Sequence, residues 1–343
     1  MTQPDLPVAS ILPVESGVQR PLWSVMIPTH HCARYLGATL RSVLAQAPGP
    51  DEMQIQVVDD FSTEDDPGAV VLEVGGGRVE FFRHPRNVGQ IPNFNSCIAR
   101  ARGHLVHMLH GDDMVRTGFY EVMGSAFREA PEIGAAVCRF LVMNEDGHWT
   151  GVARLEEPRA GIIPDWLERI ASKQRVATPS VVVRRVAYER VGGFDSRLHY
   201  CEDWEMWVRI ASRYPVWYEP DPLAVYRVHS VSVSGRALRS GENGRNLRRA
   251  VQINRDHLPP ERASAISRNA MRQIAGSLVR RAWEFSNAGE RSAAWAQLRE
   301  AARFSRSPSV LIPAAGVAAF TALRSVTGPE AGEQRPPSTD GET

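Results

Sequence analysis

The sequence predicts an α/β fold, a doubly wound and mainly parallel sheet followed by a C-terminal α-helical extension. Three observations predict it. From residue 23 to about 235, short β-branched runs alternate with helical patterns. Those runs are nearly continuously apolar, as strands covered on both faces must be. Beyond about residue 243 the strand signals stop and only helical periodicity remains. Strand–helix alternation with short connections favours parallel neighbours joined by crossovers.

Residues 1–20 hold Pro4, Pro7, Pro13 and Gly17 without a sustained period, and read as a flexible lead-in. SVMIP (24–28) is the first expected strand. Residues 35–47 follow as a helix with Leu36, Leu40, Val43 and Leu44 on one face. IQVVDD (55–60) and VEFFR (79–83) are strands, 93–101 a helix, HLVHML (104–109) a strand, 119–130 a helix and AAVCRFLVM (135–143) a strand. Residues 144–147 read as a hairpin turn that adds an antiparallel element. EDWEMWVRIASRY (202–214) is a helix with Trp204, Trp207, Val208 and Ala211 on one face, a spacing suited to packing.

In the extension, 263–286 carries Ile266, Ala270, Ile274 and Leu278 as a stripe, and 292–304 carries Trp295, Leu298 and Ala302. The stretch 307–323 is uncharged but contains Pro313 and Gly316. It falls short of the roughly 20 residues that span a bilayer, and reads as a buried or docking helix. From Gly328 onward the chain is polar and rich in Pro and Gly, the composition of a disordered tail. The expected divisions are therefore 1–20, 21–240, 241–327 and 328–343.

The 343 residues suffice for two units, or one large unit with an appendage, at roughly 150 residues per domain. An apolar fraction of 43% with 23% charge supports a substantial core and excludes a polytopic membrane protein. The 40 basic and 39 acidic side chains leave a formal charge of +1, so no global field draws the chain to nucleic acid or anionic lipid. Cys32, Cys97, Cys138 and Cys201 stand apart without zinc spacing, and neither a disulfide framework nor structural zinc is expected. The opening MTQPDLPVAS has no apolar h-region, which makes the cytoplasm the expected compartment.

Ligands of an open parallel sheet bind beyond the carboxyl ends of its strands. After the first strand comes Pro28-Thr29-His30-His31. The second ends in Asp59-Asp60, the third runs into Arg83–Gly89, and the fourth into His110-Gly111-Asp112-Asp113. Converging carboxylates repel unless a cation sits between them. Oxygen ligands suit Mg²⁺ or Mn²⁺, ions that commonly bridge carboxylates to phosphates.

Five stretches, in order, carry a resemblance. They are SVMIPTHHCARYLGATLRSVLAQ, VVDDFSTED, RNVGQIPNFNSCIARARGHLVHMLHGDD, RRVAYERVGGFDSRLHYCEDWEMWVRIA and YRVHSVSVS. The region they span is about 210 of the 343 residues, and it is similar to the family 2 glycosyltransferases of GT-A fold. The part after Gly235 is not covered. The resemblance implies that Pro28 and Thr29 line the pocket of the donor's base, that Asp60 supported by Asp59 bonds that base, and that Arg86 and Asn87 lie near base or phosphates. Asp112 would face ribose and metal, and Asp113 would ligate Mn²⁺ or Mg²⁺. His229 would be a further ligand of metal or diphosphate, and Asp203 the general base. Glu202, Trp204, Gly193 and Phe194 would lie on the acceptor side.

The implied reaction moves a sugar with inversion from a nucleotide-diphosphate sugar to a hydroxyl of a glycan, lipid-linked sugar or small molecule. UDP is the nucleotide the family favours. Two departures stand out. His110 occupies a position where many members carry aspartate, and His30-His31 replaces an aromatic-asparagine pair. A glycosyltransferase-like protein that binds or scaffolds without turnover is the alternative reading. A nucleotidyltransferase would need a glycine-rich loop where this chain has PTHHCARY. The C-terminal helices are left with three roles: oligomerisation, docking of a carrier, or peripheral contact with the inner face of the membrane.

Overall fold

The computed structural model describes residues 7–229 and 233–327. The expected tail from 328 lies outside the described residues, as do the first six positions. The chain runs β1 (Trp23–Thr29), α1 (Ala33–Leu44), β2 (Met53–Asp59), α2 (Pro67–Gly75), β3 (Glu80–Arg83), α3 (Gln90–Arg100), β4 (Leu105–Met108) and β5 (Met114–Val115). It continues through α4 (Phe119–Glu129), β6 (Ala135–Met143), β7 (Trp149–Val152), β8 (Gly161–Ile162), α5 (Trp166–Ser172), β9 (Val181–Arg184), α6 (Arg185–Val191), α7 (Glu202–Ala211) and β10 (Val216–Arg227). The helices α8 (Val233–Ser240), α9 (Glu242–Arg255), α10 (Pro260–Asn287), α11 (Arg291–Phe304) and α12 (Pro308–Thr327) complete it.

One sheet organises the first part, in the order β3-β2-β1-β4-β9-β6-β10-β5, with β7 on β6 and β8 on β10. The block β3-β2-β1-β4 is parallel, and so is the long β6–β10 pair. Every residue of β1, β2 and β4 is buried, which is why these strands read as mainly apolar runs, the buried polar Ser24, Gln54, Gln56 and His107 notwithstanding. β3 sits at the edge and leaves Phe81 open to solvent. The 144–147 turn forms as expected: Asn144 Oδ1 accepts the His148 N–H at 2.8 Å, and β7 pairs antiparallel with β6.

β9 is a strand the sequence reading lacks, as are the two-residue β5 and β8. It runs antiparallel between β4 and β6 and so joins the two parallel blocks. β5 is only two residues long, but it pairs with Ala224 and Val225 of β10 and carries the turn before it toward the end of that strand.

Part of the expected flexible lead-in is fixed. Val8 bridges Asp195, the Gly193 N–H donates to the Ala9 carbonyl, Arg185 Nη2 donates to the Leu12 carbonyl, and Ile11 is buried. These backbone groups find partners on α6 and the loop after it, so residues 7–12 fold over them despite Pro7. The helical part begins at Val233, and one apolar cluster continues from Phe94 and Trp207 into Val251, Ile266 and Leu278. Among the described residues no helix is long and apolar enough to cross a membrane.

α7 is locked to the loop after α6 by a buried ion pair. Arg209 Nε and Nη2 donate to Glu205 at 2.8 Å each, while its remaining N–H groups reach the Val191 and Gly193 carbonyls. Glu205 has no exposed surface. Replacing Arg209 alone leaves that charge buried without its main partner, a cost of about 3–5 kcal/mol. Arg209→Leu is therefore expected to lower the free energy of urea unfolding by about that much, and Glu205→Leu added to it should recover most of the loss.

Candidate active site

The carboxyl ends of β1 and β2 are in register, Thr29 opposite Asp59. Asp59 is wholly buried, and its carboxylate accepts from Thr29 Oγ1 (3.3 Å), Ser62 Oγ (2.5 Å), the Ser62 N–H (3.1 Å) and Arg83 Nε (2.7 Å). Four donors leave it a structural anchor. Asp60 accepts the Val88 N–H at 2.6 Å on one oxygen and the Gly89 N–H at 2.9 Å on the other. Pro28 and Thr29 are buried beside this pair. Arg86 and Asn87 project from the exposed loop before α3, and Asn87 Nδ2 lies 2.8 Å from His30 Nε2. Partial burial, and then its neighbour His31, keep His30 below the ordinary imidazole range, so its neutral ring can accept that bond.

The turn after β4 brings Asp112 and Asp113 against three other segments. Thr39 of α1 directs its hydroxyl at the Gly111 and Asp113 carbonyls, 3.0 and 2.7 Å away. The Arg227 N–H, at the end of β10, donates to Asp113 Oδ1 at 2.9 Å, and Arg227 Nε donates to the Asp112 carbonyl at 2.9 Å. His229 Nε2 lies 2.9 Å from Asp112 Oδ2. Such closeness depends on Gly111, where a Cβ would stand 2.6 Å from Cys32 Sγ and 2.8 Å from Thr29 Cγ2.

Asp113 has no exposed surface, and its Oδ2 has no hydrogen-bond partner. Burial, and next the charge of Asp112, push its carboxyl well above the usual range. Burial opposes ionisation of Asp112 too, but the His229 hydrogen bond and the nearby His110 prevail and hold it below that range. His110 Nδ1 is 3.8 Å from the orphaned Asp113 Oδ2, its ring stacks on Phe94 at 5.0 Å, and burial keeps it neutral, as a metal ligand must be. Donor atoms of His110, Asp112 and Asp113 all lie within 4.8 Å of one another. A buried acceptor without a donor, a second carboxylate and a neutral imidazole fit a divalent cation. The set is mixed oxygen and nitrogen, not the all-oxygen set the acidic pairs suggest.

Glu202 and Asp203 form the first turn of α7. Gln90 Nε2, at the start of α3, donates to Glu202 Oε1 at 2.5 Å, so the two helix N-termini meet at the sheet's carboxyl edge. Burial, and next the charge of Asp203, push the Glu202 carboxyl up to about 8. Asp203 keeps an opening to solvent. Its oxygens accept the Trp204 N–H (2.7 Å), Gln174 Nε2 (2.8 Å) and Thr178 Oγ1 (3.5 Å), and burial raises it to about 6 against those bonds. Burial thus raises both carboxyls, Glu202 the more, the separation of roles that environment imposes on paired carboxylates.

The other residues expected on the acceptor side lie behind this turn. Trp204 is fully buried, with Nε1 donating to the Ile170 carbonyl at 2.6 Å. Phe194 is fully buried between Phe94 and Trp207. At Gly193 a Cβ would meet Asn95 Oδ1 at 2.3 Å, so this glycine serves packing. The sequence reading missed Gln90, Gln174 and Arg227, and noted His110 only as a departure. Arg227 acts on Asp113 through its backbone, and Gln90 reaches Glu202 across 112 positions.

The sequence model described as Glycosyl transferase family 2 matches residues 24–192, and that described as Glycosyltransferase like family 2 matches residues 163–249. An uncharacterized protein of Mycobacterium tuberculosis is 28% identical over 235 residues, 65% of this chain and 72% of its own length. An uncharacterized glycosyltransferase of Rickettsia typhi is 21% identical, over 64% of this chain and 67% of its own. Among solved structures, residues 1–349 of Staphylococcus aureus TarS in complex with UDP-GlcNAc superpose with a TM-score of 0.61 at 15% identity, covering 88% of this chain and 90% of that one. The mannosyltransferase PcManGT of Pyrobaculum calidifontis, in complex with GDP-Man and Mn²⁺, gives 0.56 at 17% identity, covering 92% and 90%. These likenesses establish the fold as GT-A.

Gly111→Ala is expected to destabilise the protein by about 1–3 kcal/mol, because the new Cβ would press on buried Thr29 and half-buried Cys32. Cys32→Ala in the same chain removes the nearer contact and should restore part of the loss in thermal unfolding.

Proposed function

The chain belongs to the family 2 glycosyltransferases, and from that premise we propose that it transfers a sugar from a nucleotide-diphosphate sugar to an acceptor hydroxyl with inversion. The observation that carries the reading is the buried Asp112–Asp113 turn at the sheet's carboxyl edge, with an acceptor oxygen left without a donor. A divalent cation held there by Asp113, with Asp112 and His110, would supply Lewis-acid neutralisation of the diphosphate leaving group. The imidazole favours Mn²⁺ over Mg²⁺, since nitrogen donors rank manganese higher.

This chain's own residues do the rest. Asp60 presents lone pairs toward the donor's base from the floor formed by Pro28 and Thr29. Arg86 and Asn87 reach over the donor from the loop before α3. Asp203 takes the acceptor proton, and Glu202, held neutral beside it, keeps a second negative charge away. Opposite-face attack on the anomeric carbon then inverts its configuration in one displacement. UDP is the expected nucleotide, and TarS, solved with UDP and with UDP-GlcNAc, is consistent with it. The acceptor is a glycan, a lipid-linked sugar or a small hydroxylated molecule.

Asp203→Asn should lower kcat by about 10²–10⁴-fold with little change in nucleotide affinity, as removal of a general base does. A base works only when unprotonated, so wild-type kcat/KM should fall as pH drops through about 6, and the variant should lose that limb. Retained turnover by the variant would remove Asp203 from the mechanism.

Calorimetry of UDP, GDP and dTDP with and without Mn²⁺ tests the donor site. One nucleotide should bind in a metal-dependent way, and failure of all three would leave the non-catalytic reading. In thermal unfolding, Asp113→Asn should abolish stabilisation by Mn²⁺. It should also raise Tm without metal, because the ionised carboxylate it replaces is disfavoured by burial and by Asp112.

A further inference from the structure

We propose that the helical extension is a docking surface for an anionic phospholipid bilayer. Residues 233–327 hold sixteen arginines against six carboxylates, a formal +10 in a chain whose total is +1. The near-neutral whole conceals a strongly basic extension on an acidic remainder.

The charge is not spread evenly. A cavity of about 640 Å³ opens between the end of α9, the middle of α10 and the link from α11 to α12, and is lined by Arg255, Arg268, Arg272 and Arg306. Five other arginines of the extension are in ion pairs: Arg239 with Glu290, Arg248 and Arg303 with Glu300, Arg262 with Glu168, and Arg281 with Glu284. The four at the cavity are exposed and make no ion pair among the described residues. Two serines supply hydroxyls: Ser264 accepts from Arg255 Nη2 at 3.1 Å, and Ser267 Oγ, also lining the cavity, is buried without a partner. Arginines and hydroxyls around an open cavity recognise a phosphate group.

The cavity adjoins an apolar surface of equal consequence. α12 begins at its rim, and its inner face packs Val310, Val317 and Thr321 against the other helices. Its outer face presents Leu311, Ile312, Phe320 and Leu323, with Ile312 71% exposed. From Ser307 to Leu323 the chain has no charged residue. Trp283, half exposed, stands one turn of α10 before Ser286, whose hydroxyl bonds Thr321. An uncharged outward helix face flanked by tryptophan and arginines is the composition of a segment lying in the headgroup–acyl boundary.

Charge complementarity selects the occupant. A second copy would bring its own +10 and its own cavity arginines against these, a repulsive arrangement. A soluble phosphate would account for the cavity but not for the apolar face. A bilayer with anionic headgroups satisfies both, each surface arginine strengthening binding by about fivefold. The inference does not depend on the catalytic reading, since it uses none of those residues.

The test is flotation of the full chain with phosphatidylcholine vesicles, alone or with roughly 30 mol % phosphatidylglycerol, at low and physiological salt. Binding is expected to the anionic vesicles only, and to weaken with salt. Arg268→Gln with Arg272→Gln should reduce the partition coefficient by about 25-fold. Ile312→Glu should reduce it by at least tenfold, with nucleotide binding unchanged in both variants. All these side chains are exposed, so circular dichroism should confirm that each variant folds. Equal binding to neutral vesicles, or none to either kind, overturns the proposal. So does a wild-type dimer in sedimentation that Ile312→Glu converts to monomer, which would give the face to a second copy. Arginine-dependent binding of single-stranded RNA without vesicle binding would give it to nucleic acid.

Discussion

Two carboxylates that repel each other under the end of β10, one wholly buried and one partly open, constrain the whole carboxyl edge of the sheet. Asp113 is buried with one oxygen lacking a donor, and Asp112 stands beside it. Such a pair is held only by what surrounds it. Thr39 reaches the turn from α1, Arg227 bonds it through its backbone, and His229 meets Asp112 from beyond the strand. The two-residue strand β5 serves the same end, because its pairing with β10 fixes the register at which Arg227 meets Asp113. The folded chain thus carries an electrostatic cost that a bound cation would relieve. Local strain of this kind concentrates at functional sites.

The three acidic pairs at this edge follow one pattern. In each, one member is committed to structure and its neighbour keeps capacity for chemistry. Asp59 is saturated by Thr29, Ser62 and Arg83, while Asp60 spends one bond per oxygen on the Val88 and Gly89 amides. Glu202 is buried and neutral on Gln90, while Asp203 stays partly open. Asp112 is tied to His229, while Asp113 retains a bare oxygen. The 88–90 segment carries two of these links, to Asp60 behind it and to Glu202 ahead. A shift of that loop would be felt at both Asp60 and the start of α7.

What the sequence revealed, and what it hid, follows from how each feature is encoded. β1, β2 and β4 were legible because burial on both faces forces apolar runs, and the acidic pairs were legible because they stand directly after strands. β9 has only four residues between a Thr-Pro-Ser turn and a helix, too few for a period to show. α2 was passed over because PGAVVLEVG has no polar face to mark it. In the site, Asp203 was reached through family resemblance, since its position alone fits a helix cap equally well. Arg227 could not be found by side-chain chemistry, because its backbone amide is what Asp113 uses. His110 was visible as an anomaly, but only the fold shows its ring between Phe94 and the orphaned oxygen of Asp113.

The charge balance was the most misleading number in the sequence. A total of +1 was read as an absence of field, yet it is the sum of a basic extension and an acidic catalytic part. Near an anionic surface such a molecule feels a torque as well as an attraction, because its two parts are driven in opposite directions. The field acts over about 8 Å at physiological ionic strength, so only side chains close to the surface contribute. The cavity arginines and the outer face of α12 are exposed and able to do so. Charge segregation can therefore set orientation as well as affinity, without any membrane-spanning helix among the described residues.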